Sequence, residues 1–224
     1  MDDRFNLKTP EHSYIFGLFQ GDGWLSETTR NRGKLSIELN RSDGKLLYKI
    51  KDLLLVKAHI RKRERDTNFK KGHKSLTLTI HDLDFRKKFK ELGFVAGKKA
   101  EVITIPPDPY CEKDYFRGLI DADGSVGFTG KGRPFLSFTT SSEDIKEGFL
   151  SYIEPIIKYK KHLNRNKRDN VYNICVYQED AQGVSNKLYY DDCLSLKRKY
   201  SKAKDILKWN RYNQMDRLLD WRPW

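Results

Sequence analysis

An α+β protein written as two copies of one αββαββα unit is the fold class that the sequence predicts. Three observations predict it. The chain matches itself at an offset of 101 residues, its apolar residues switch between helical and alternating spacing in the same order in each half, and a proline-rich segment separates the halves. At that offset Tyr14-Ile-Phe-Gly-Leu-Phe-Gln-Gly-Asp-Gly23 falls on Tyr115-Phe-Arg-Gly-Leu-Ile-Asp-Ala-Asp-Gly124, and the Tyr, first Gly, Leu, Asp and last Gly coincide. Leu35-Ser36 likewise falls on Leu136-Ser137, and Asp43 on Asp144. A lone Asp-Gly is an ordinary turn dipeptide. A ten-residue pattern that recurs with its sequel marks a duplicated unit.

Each half opens on an apolar motif helix, 13–22 and 114–123. Strands follow at 24–26 and 34–39, then at 126–128 and 134–140, where KLSIEL and FLSFTT have the composition and length of strands. The helix expected at 43–55 carries Leu46, Leu47, Ile50, Leu53 and Leu54 at helical spacing, and its partner at 143–155 carries Ile145, Phe149, Leu150 and Ile153. Hairpins come next, 58–64 with 75–80 and 157–163 with 171–177; SLTLTI and VYNICVY alternate as half-buried strands do. Helices at 82–92 and 189–207 close the halves. Ile105-Pro-Pro-Asp-Pro109 cannot be helix or inner strand, because proline fixes φ and lacks an N–H. The expected organisation is one half at 1–104, a linker at 105–113 and a second half at 114–224.

The composition narrows the function. Of 224 residues 38% are hydrophobic, enough for a core, while 44 Lys+Arg against 31 Asp+Glu leave a net charge of +13. A field of that sign attracts polyanions: DNA, RNA or an anionic membrane surface. No segment is long and apolar enough to span a bilayer, and MDDRFNLKTP at the N-terminus does not resemble a signal peptide. The expected location is therefore intracellular, in a bacterial or archaeal cytoplasm or an organelle such as a mitochondrion or chloroplast. Cys111, Cys175 and Cys193 are scattered and odd in number, with no CxxC, and the five histidines form no HExxH. Neither a disulfide framework nor a zinc site is suggested.

The repeated helix carries the chemistry. Gly17 and Gly21 are four apart, as are Gly118 and Ala122, so each pair shares a helix face. Glycine inside a helix costs about 1 kcal/mol relative to alanine; close approach of two helices supplies the reason for it. Asp22 and Asp123 end these helices, each before a glycine at the C′ position. An acid there faces the negative end of the helix dipole. Packing the two helices together brings both carboxylates side by side, where they repel unless a cation lies between them. Hard divalent ions such as Mg²⁺ take oxygen ligands and keep waters, and such a site against a phosphodiester is a hydrolytic nuclease centre. Asp121 stands about 200° around the helix from Asp123 and is not counted as a ligand. Gln20 holds the matching place in the first half.

Phe-Arg-Gly-Leu-Ile-Asp-Ala-Asp-Gly at 116–124 closely resembles the LAGLIDADG motif of homing endonucleases, and Ile-Phe-Gly-Leu-Phe-Gln-Gly-Asp-Gly at 15–23 is a looser version. The resemblance, of the single-chain, two-motif monomeric type, covers nearly the whole chain. It implies a pseudo-twofold saddle of two antiparallel sheets with paired motif helices at its centre. It implies metal ligation by Asp22 and Asp123, joined by the carbonyls of Gly21 and Ala122. Lys99 and Lys199 match positions where such enzymes place a water-organising lysine, and Asp43 and Asp144 are second-rank candidates whose alternative role is helix capping. The implied cofactor is Mg²⁺ or Mn²⁺, with Ca²⁺ supporting binding without efficient cleavage. The implied partner is double-stranded DNA, bound by a monomer that needs neither a protein partner nor a membrane.

Two-stranded ribbons fit the major groove. Here one ribbon carries His59, Arg61, Lys62, Arg63 and Arg65, and the other carries Lys158, Lys160, Lys161, Arg165, Lys167 and Arg168. Alternate positions of the remaining strands offer Ser36, Glu38, Asn40, Ser75, Thr77, Thr79, Ser137 and Thr139 to one face. Long basic groups anchor phosphates, and short polar groups read base edges. The expected activity is site-specific double-strand cleavage at a long asymmetric target. The competing readings are an RNA maturase-like splicing factor and a non-cleaving DNA-binding regulator on the same fold.

Overall fold

The computed structural model describes residues 5–66, 71–97, 101–107, 109–158, 163, 165–166 and 168–211. Helix α1 (Pro10–Asp22) starts with proline in its first turn, where the missing N–H is no loss. It runs directly into β1 (Gly23–Glu27), which pairs with β2 (Gly33–Asn40). A 3-10 turn at Arg41–Asp43 leads into α2 (Lys45–Leu53), followed by β3 (Ala58–Arg65), β4 (His73–Ile80) and α3 (Leu83–Glu91). The strands form an antiparallel sheet in the order β1-β2-β4-β3. The second half repeats the beginning with α4 (Glu112–Asp123), β5 (Gly124–Phe128), β6 (Pro134–Thr140) and α5 (Glu143–Ile153). It ends with β7 (Tyr172–Tyr177), α6 (Gln178–Leu188) and α7 (Lys197–Leu207), and its antiparallel sheet is β5-β6-β7.

The second half departs from expectation in two places. Of the strand expected at 157–163, residues 159–162 lie outside the described residues, and its first residues, 157–158, are not strand. Ile153 instead accepts the amides of Ile156 and Ile157 in a turn after α5, and Ile156 packs so closely that a Cβ on Gly183 of α6 would meet it at 2.8 Å. The two isoleucines thus serve helix packing. The helix expected at 189–207 forms only over α7, Lys197–Leu207, and α6 before it, Gln178–Leu188, was not expected. Asp192 sits at φ 61° between them, and Tyr189, Tyr190 and the amide of Leu196 are drawn to buried carboxylates rather than to helical partners. Helix α6 itself buries Ala181, Val184, Ser185 and Leu188, an i, i+3, i+4, i+7 stripe.

Each sheet turns one face inward. Leu35, Ile37, Leu39, Leu76, Leu78 and Ile80 alternate with outward polar residues in the first sheet, as Leu136, Phe138, Ile174 and Val176 do in the second. The inward faces meet α2 and α3 in the first half and α5 and α6 in the second. Between the halves, α1 packs along α4. Every residue of α1 from Ser13 to Gln20 is buried, so this helix is enclosed on all sides. No helix among the described residues is long and apolar enough to cross a membrane.

Candidate active site and nucleic-acid interface

The α1–α4 contact is backbone against backbone. A Cβ on Gly17 would stand 2.2 Å from the Tyr115 carbonyl oxygen, and one on Gly118 would stand 2.3 Å from that of Tyr14. Symmetric tyrosines bolt the pair: the Tyr14 hydroxyl donates to Asp121 Oδ2 at 2.7 Å, and the Tyr115 hydroxyl donates to Gln20 Oε1 at 2.5 Å. Burial pushes both phenols well above the ordinary tyrosine value, so both remain donors. Gln20 also donates to the carbonyl of Thr104, tying the end of the first half, just before the linker, to the pair.

Asp121 is buried, as its position on the helix required. It accepts from Tyr14, from the Tyr189 hydroxyl at 2.8 Å and from the Leu196 amide at 2.6 Å. Burial raises its pKa, while these donors and the nearby Lys199 pull it back down. Its work is to fix the entry to α7.

Asp22 and Asp123 are exposed at the last residues of α1 and α4. At the crossing, a Cβ on Gly21 would lie 2.2 Å from the Ala122 Cβ and 3.1 Å from Asp123 Oδ2. Gly21, Ala122 and Asp123 therefore converge, with Asp22 next to Gly21 in sequence, and both aspartates act on Lys199. Gly23 and Gly124 are not in the left-handed conformation expected of a C′ glycine. Both are extended, at φ −80° and −107°. They are glycine because a Cβ would meet the carbonyls of Phe19 and Ile120 at 2.6 and 2.7 Å.

Lys199 lies under this junction, 3% exposed. Its Nζ donates to the carbonyls of Ile120, Asp121 and Gly124 at 2.6, 2.7 and 2.7 Å. These acceptors lie around the C-terminal end of α4, where a cation is favoured. Burial pushes its pKa down to about 8, helped by Arg198 and opposed by Asp121, Asp22 and Asp123. Lys99 lies outside the described residues. Neither second-rank acid caps a helix. Asp43 accepts from Arg198 Nε at 3.0 Å, and Asp144 accepts the Ile105 amide at 2.6 Å, while Ser142 caps α5 and the N-cap of α2 is Gly44.

The expected DNA-reading residues share faces but not depths. In the first sheet Ser36, Glu38 and Asn40 pair with Thr79, Thr77 and Ser75, and these with His59, Arg61 and Arg63, so all point to the outward face. Arg61 and Arg63 are exposed and Thr77 is half-buried. Ser36 and Ser75 are buried; Ser36 donates to Thr79 Oγ1 and Ser75 to Glu38 Oε1, so both hydroxyl protons are engaged within the sheet. Asn40 is exposed, but its Oδ1 caps the 3-10 turn through the Ser42 amide at 3.0 Å. In the second sheet Ser137 and Thr139 are half-buried on the equivalent face, and Thr139 donates to Asn173 Oδ1 at 2.9 Å. Arg165 folds back instead: it donates to the Tyr172 hydroxyl and to the carbonyls of Ser141 and Asn170. Lys158 sits in the turn after α5, its amide on Asp180 of α6. Lys160 lies outside the described residues.

Trp24, Lys34 and His81 were not anticipated. With His59, Arg61 and Thr79 they line a groove of about 630 Å³ on the outward face. The pairing of Trp24 with Ser36 places it on that face, and strand parity after Gly23 was the signal for it.

The LAGLIDADG-like domain family matches residues 9–92 and again 111–189. Among solved structures, a double mutant of I-SmaMI is similar over 95% of this chain and 96% of its own, with 14% identity and a TM-score of 0.61. I-SmaMI bound to uncleaved DNA target in the presence of calcium ions matches over 96% and 94%, with 14% identity and a TM-score of 0.56. I-DmoI in complex with DNA and Mn matches over 81% and 97%, with 15% identity and a TM-score of 0.51. The repeated motif, the crossing of the two glycine-bearing helices and the two family matches agree: the chain belongs to the LAGLIDADG family, with both copies of the domain in one polypeptide.

Proposed function

We propose that the chain is a homing-type, site-specific double-strand DNA endonuclease that depends on divalent metal ions. It acts as a monomer on a long asymmetric target. The observation that carries this reading is the placement of exposed Asp22 and Asp123 at the ends of α1 and α4, where Gly21 meets Ala122 and Asp123 and both sheets begin. Two carboxylates at the negative ends of two helices call for a cation. The donors fit a hard one. They are oxygens only, with the carbonyls of Gly21 and Ala122 as further candidates, and no cluster of three or more His, Cys, Asp or Glu suited to a metal occurs among the described residues. Few protein oxygens in an open setting suit Mg²⁺ or Mn²⁺, which keep waters and take phosphate oxygens. When bound, such an ion supplies Lewis acidity and a more acidic water. The calcium and manganese DNA complexes of I-SmaMI and I-DmoI support divalent-ion use by this fold.

The chain's own residues hold the arrangement. Lys199 fixes the end of α4 through three carbonyls and sets a positive charge beside both aspartates. Lys99 is assigned the corresponding role in the first half. Outward cations of the first sheet such as Arg61 bind the phosphate backbone, and the polar outward residues Ser137 and Thr139 of the second sheet read bases. The test is a plasmid carrying the host gene's uninterrupted insertion site. Linear product is expected in Mg²⁺ or Mn²⁺, binding with little cutting in Ca²⁺, and no cutting in a chelator. Full double-strand cleavage by an Asp22→Asn, Asp123→Asn double variant overturns the assignment.

A further inference from the structure

Glu38 is an acid on the face read above as meeting DNA, and among the described residues it is the one acid at an outward register position of the first sheet. Its side chain is 15% exposed. Oε1 accepts from the Ser75 hydroxyl at 2.6 Å and from Arg65 Nη2 at 3.2 Å. Oε2 accepts from Arg63 Nη1 at 3.4 Å and from the Thr77 hydroxyl at 3.5 Å. A carboxylate has about four lone-pair sites, so no acceptor remains for a cytosine amine. Glu38 stands on β2, Ser75 and Thr77 on the next strand, and the arginines on the strand beyond. The carboxylate thus reaches across β4 and draws two long cations back over the sheet. Each guanidinium gives Glu38 one N–H and keeps the others in their planar fork. That fork is the group that binds guanine O6 and N7 in pairs. Exposed ion pairs of this kind contribute little to stability. What they do fix is direction: an arginine held in one pose loses less side-chain freedom when it meets a base.

We infer that Glu38 is a positioning residue that aims Arg63 and Arg65 at base edges and does not itself read a base. The inference rests on the DNA-binding reading above. The test is selection from a library of randomised duplexes in Ca²⁺, followed by sequencing, with the full-length wild type, E38A, E38Q, R63A and R65A. Affinity for one scrambled duplex is measured alongside. R63A and R65A are each expected to flatten preference at their own base position. E38A is expected to flatten both positions, lowering discrimination there roughly tenfold or more. It should bind the scrambled duplex at least as tightly as the wild type, because two cations are released from an internal acid. E38Q, which keeps one acceptor oxygen, should recover part of the discrimination. Three results overturn the inference: loss in E38A of one position that neither arginine variant touches, an unchanged consensus, or equal loss of affinity for selected and scrambled duplexes. A wild type that binds no duplex and enriches no consensus overturns the DNA reading itself, and the inference with it.

Discussion

Helix α4 ends with two aspartates two residues apart whose surroundings assign them opposite work. Asp121 is enclosed by Tyr14, Tyr189 and the Leu196 amide, whereas Asp123 is exposed beside Gly21, with Asp22 its counterpart on α1. Asparagine keeps the shape of aspartate and removes the charge. Asp22→Asn or Asp123→Asn should therefore leave the fold and Ca²⁺-supported binding intact. Double-strand cleavage should fall by more than the roughly hundredfold that losing an outer-shell metal partner costs. Supercoiled plasmid separates the outcomes: each single variant should accumulate nicked circle, as expected if each aspartate lies nearer one scissile bond. Linear product at the wild-type rate from either variant would remove that aspartate from the reaction. His12 offers an independent residue-scale test. The Asn6 amide donates to its Nδ1 at 3.0 Å, its ring stacks on Phe5 at 4.5 Å, and burial holds its pKa below the ordinary value. The unfolded chain then takes up the proton first as pH falls. Stability contributed by neutral His12 is complete above about pH 6.5 and is lost as pH drops below it toward the folded value. Denaturant midpoints measured from about pH 7.5 down to 5.5 should decline less steeply for His12→Gln than for the wild type. Equal slopes would dismiss His12 as a source of the acid sensitivity.

At the scale of elements, the α1–α4 crossing is where a single methyl group should matter most. The carbonyls facing Gly17 and Gly118 are main chain and cannot swing aside. Gly17→Ala or Gly118→Ala should cost about 1–3 kcal/mol by overpacking and also spread the two aspartates apart. Gly130 has nothing within 4 Å of its added Cβ, so Gly130→Ala is the neutral control. Urea denaturation that finds Gly17→Ala as stable as Gly130→Ala would mean the helices are not in contact there. This crossing was legible in the sequence because its spacing recurs 101 residues later, as were the strands whose apolar residues alternate. The break between α6 and α7 was not. Tyr189 and Tyr190 read as apolar helix residues, and their pull toward Asp121 and Asp114 is tertiary. Depth was also hidden: strand parity puts Ser36 and Ser75 on the correct face but says nothing of the neighbours that bury them there. Nor does basic composition reveal that Arg165 turns inward to Tyr172.

The whole molecule is two similar frames with dissimilar faces. Lys34, Arg61, Arg63 and Arg65 make the outward face of the first sheet basic, whereas among the described residues Ser137, Thr139, Asn173 and Tyr177 make that of the second neutral and polar. The glycine surfaces that would join two one-motif chains are already joined inside this one. Sedimentation should accordingly give a monomer, with one protein per duplex. The two half-sites should also differ in how far cations on phosphates hold them. Cations on phosphates release counterions, with a slope of log affinity against log salt of about −0.9 per phosphate. Arg61→Ala should therefore weaken binding to all sequences and make that slope shallower by about one. Ser137→Ala and Thr139→Ala should leave the slope unchanged and relax base preference on the second half-site only. Anisotropy titrations in Ca²⁺ over a series of potassium chloride concentrations, with matched and half-site-scrambled duplexes, distinguish the two. Equal salt slopes for Arg61→Ala and wild type would show that the basic face does not meet the backbone. A steeper or shallower slope for the second-sheet variants would show that the division of labour between the halves is wrong.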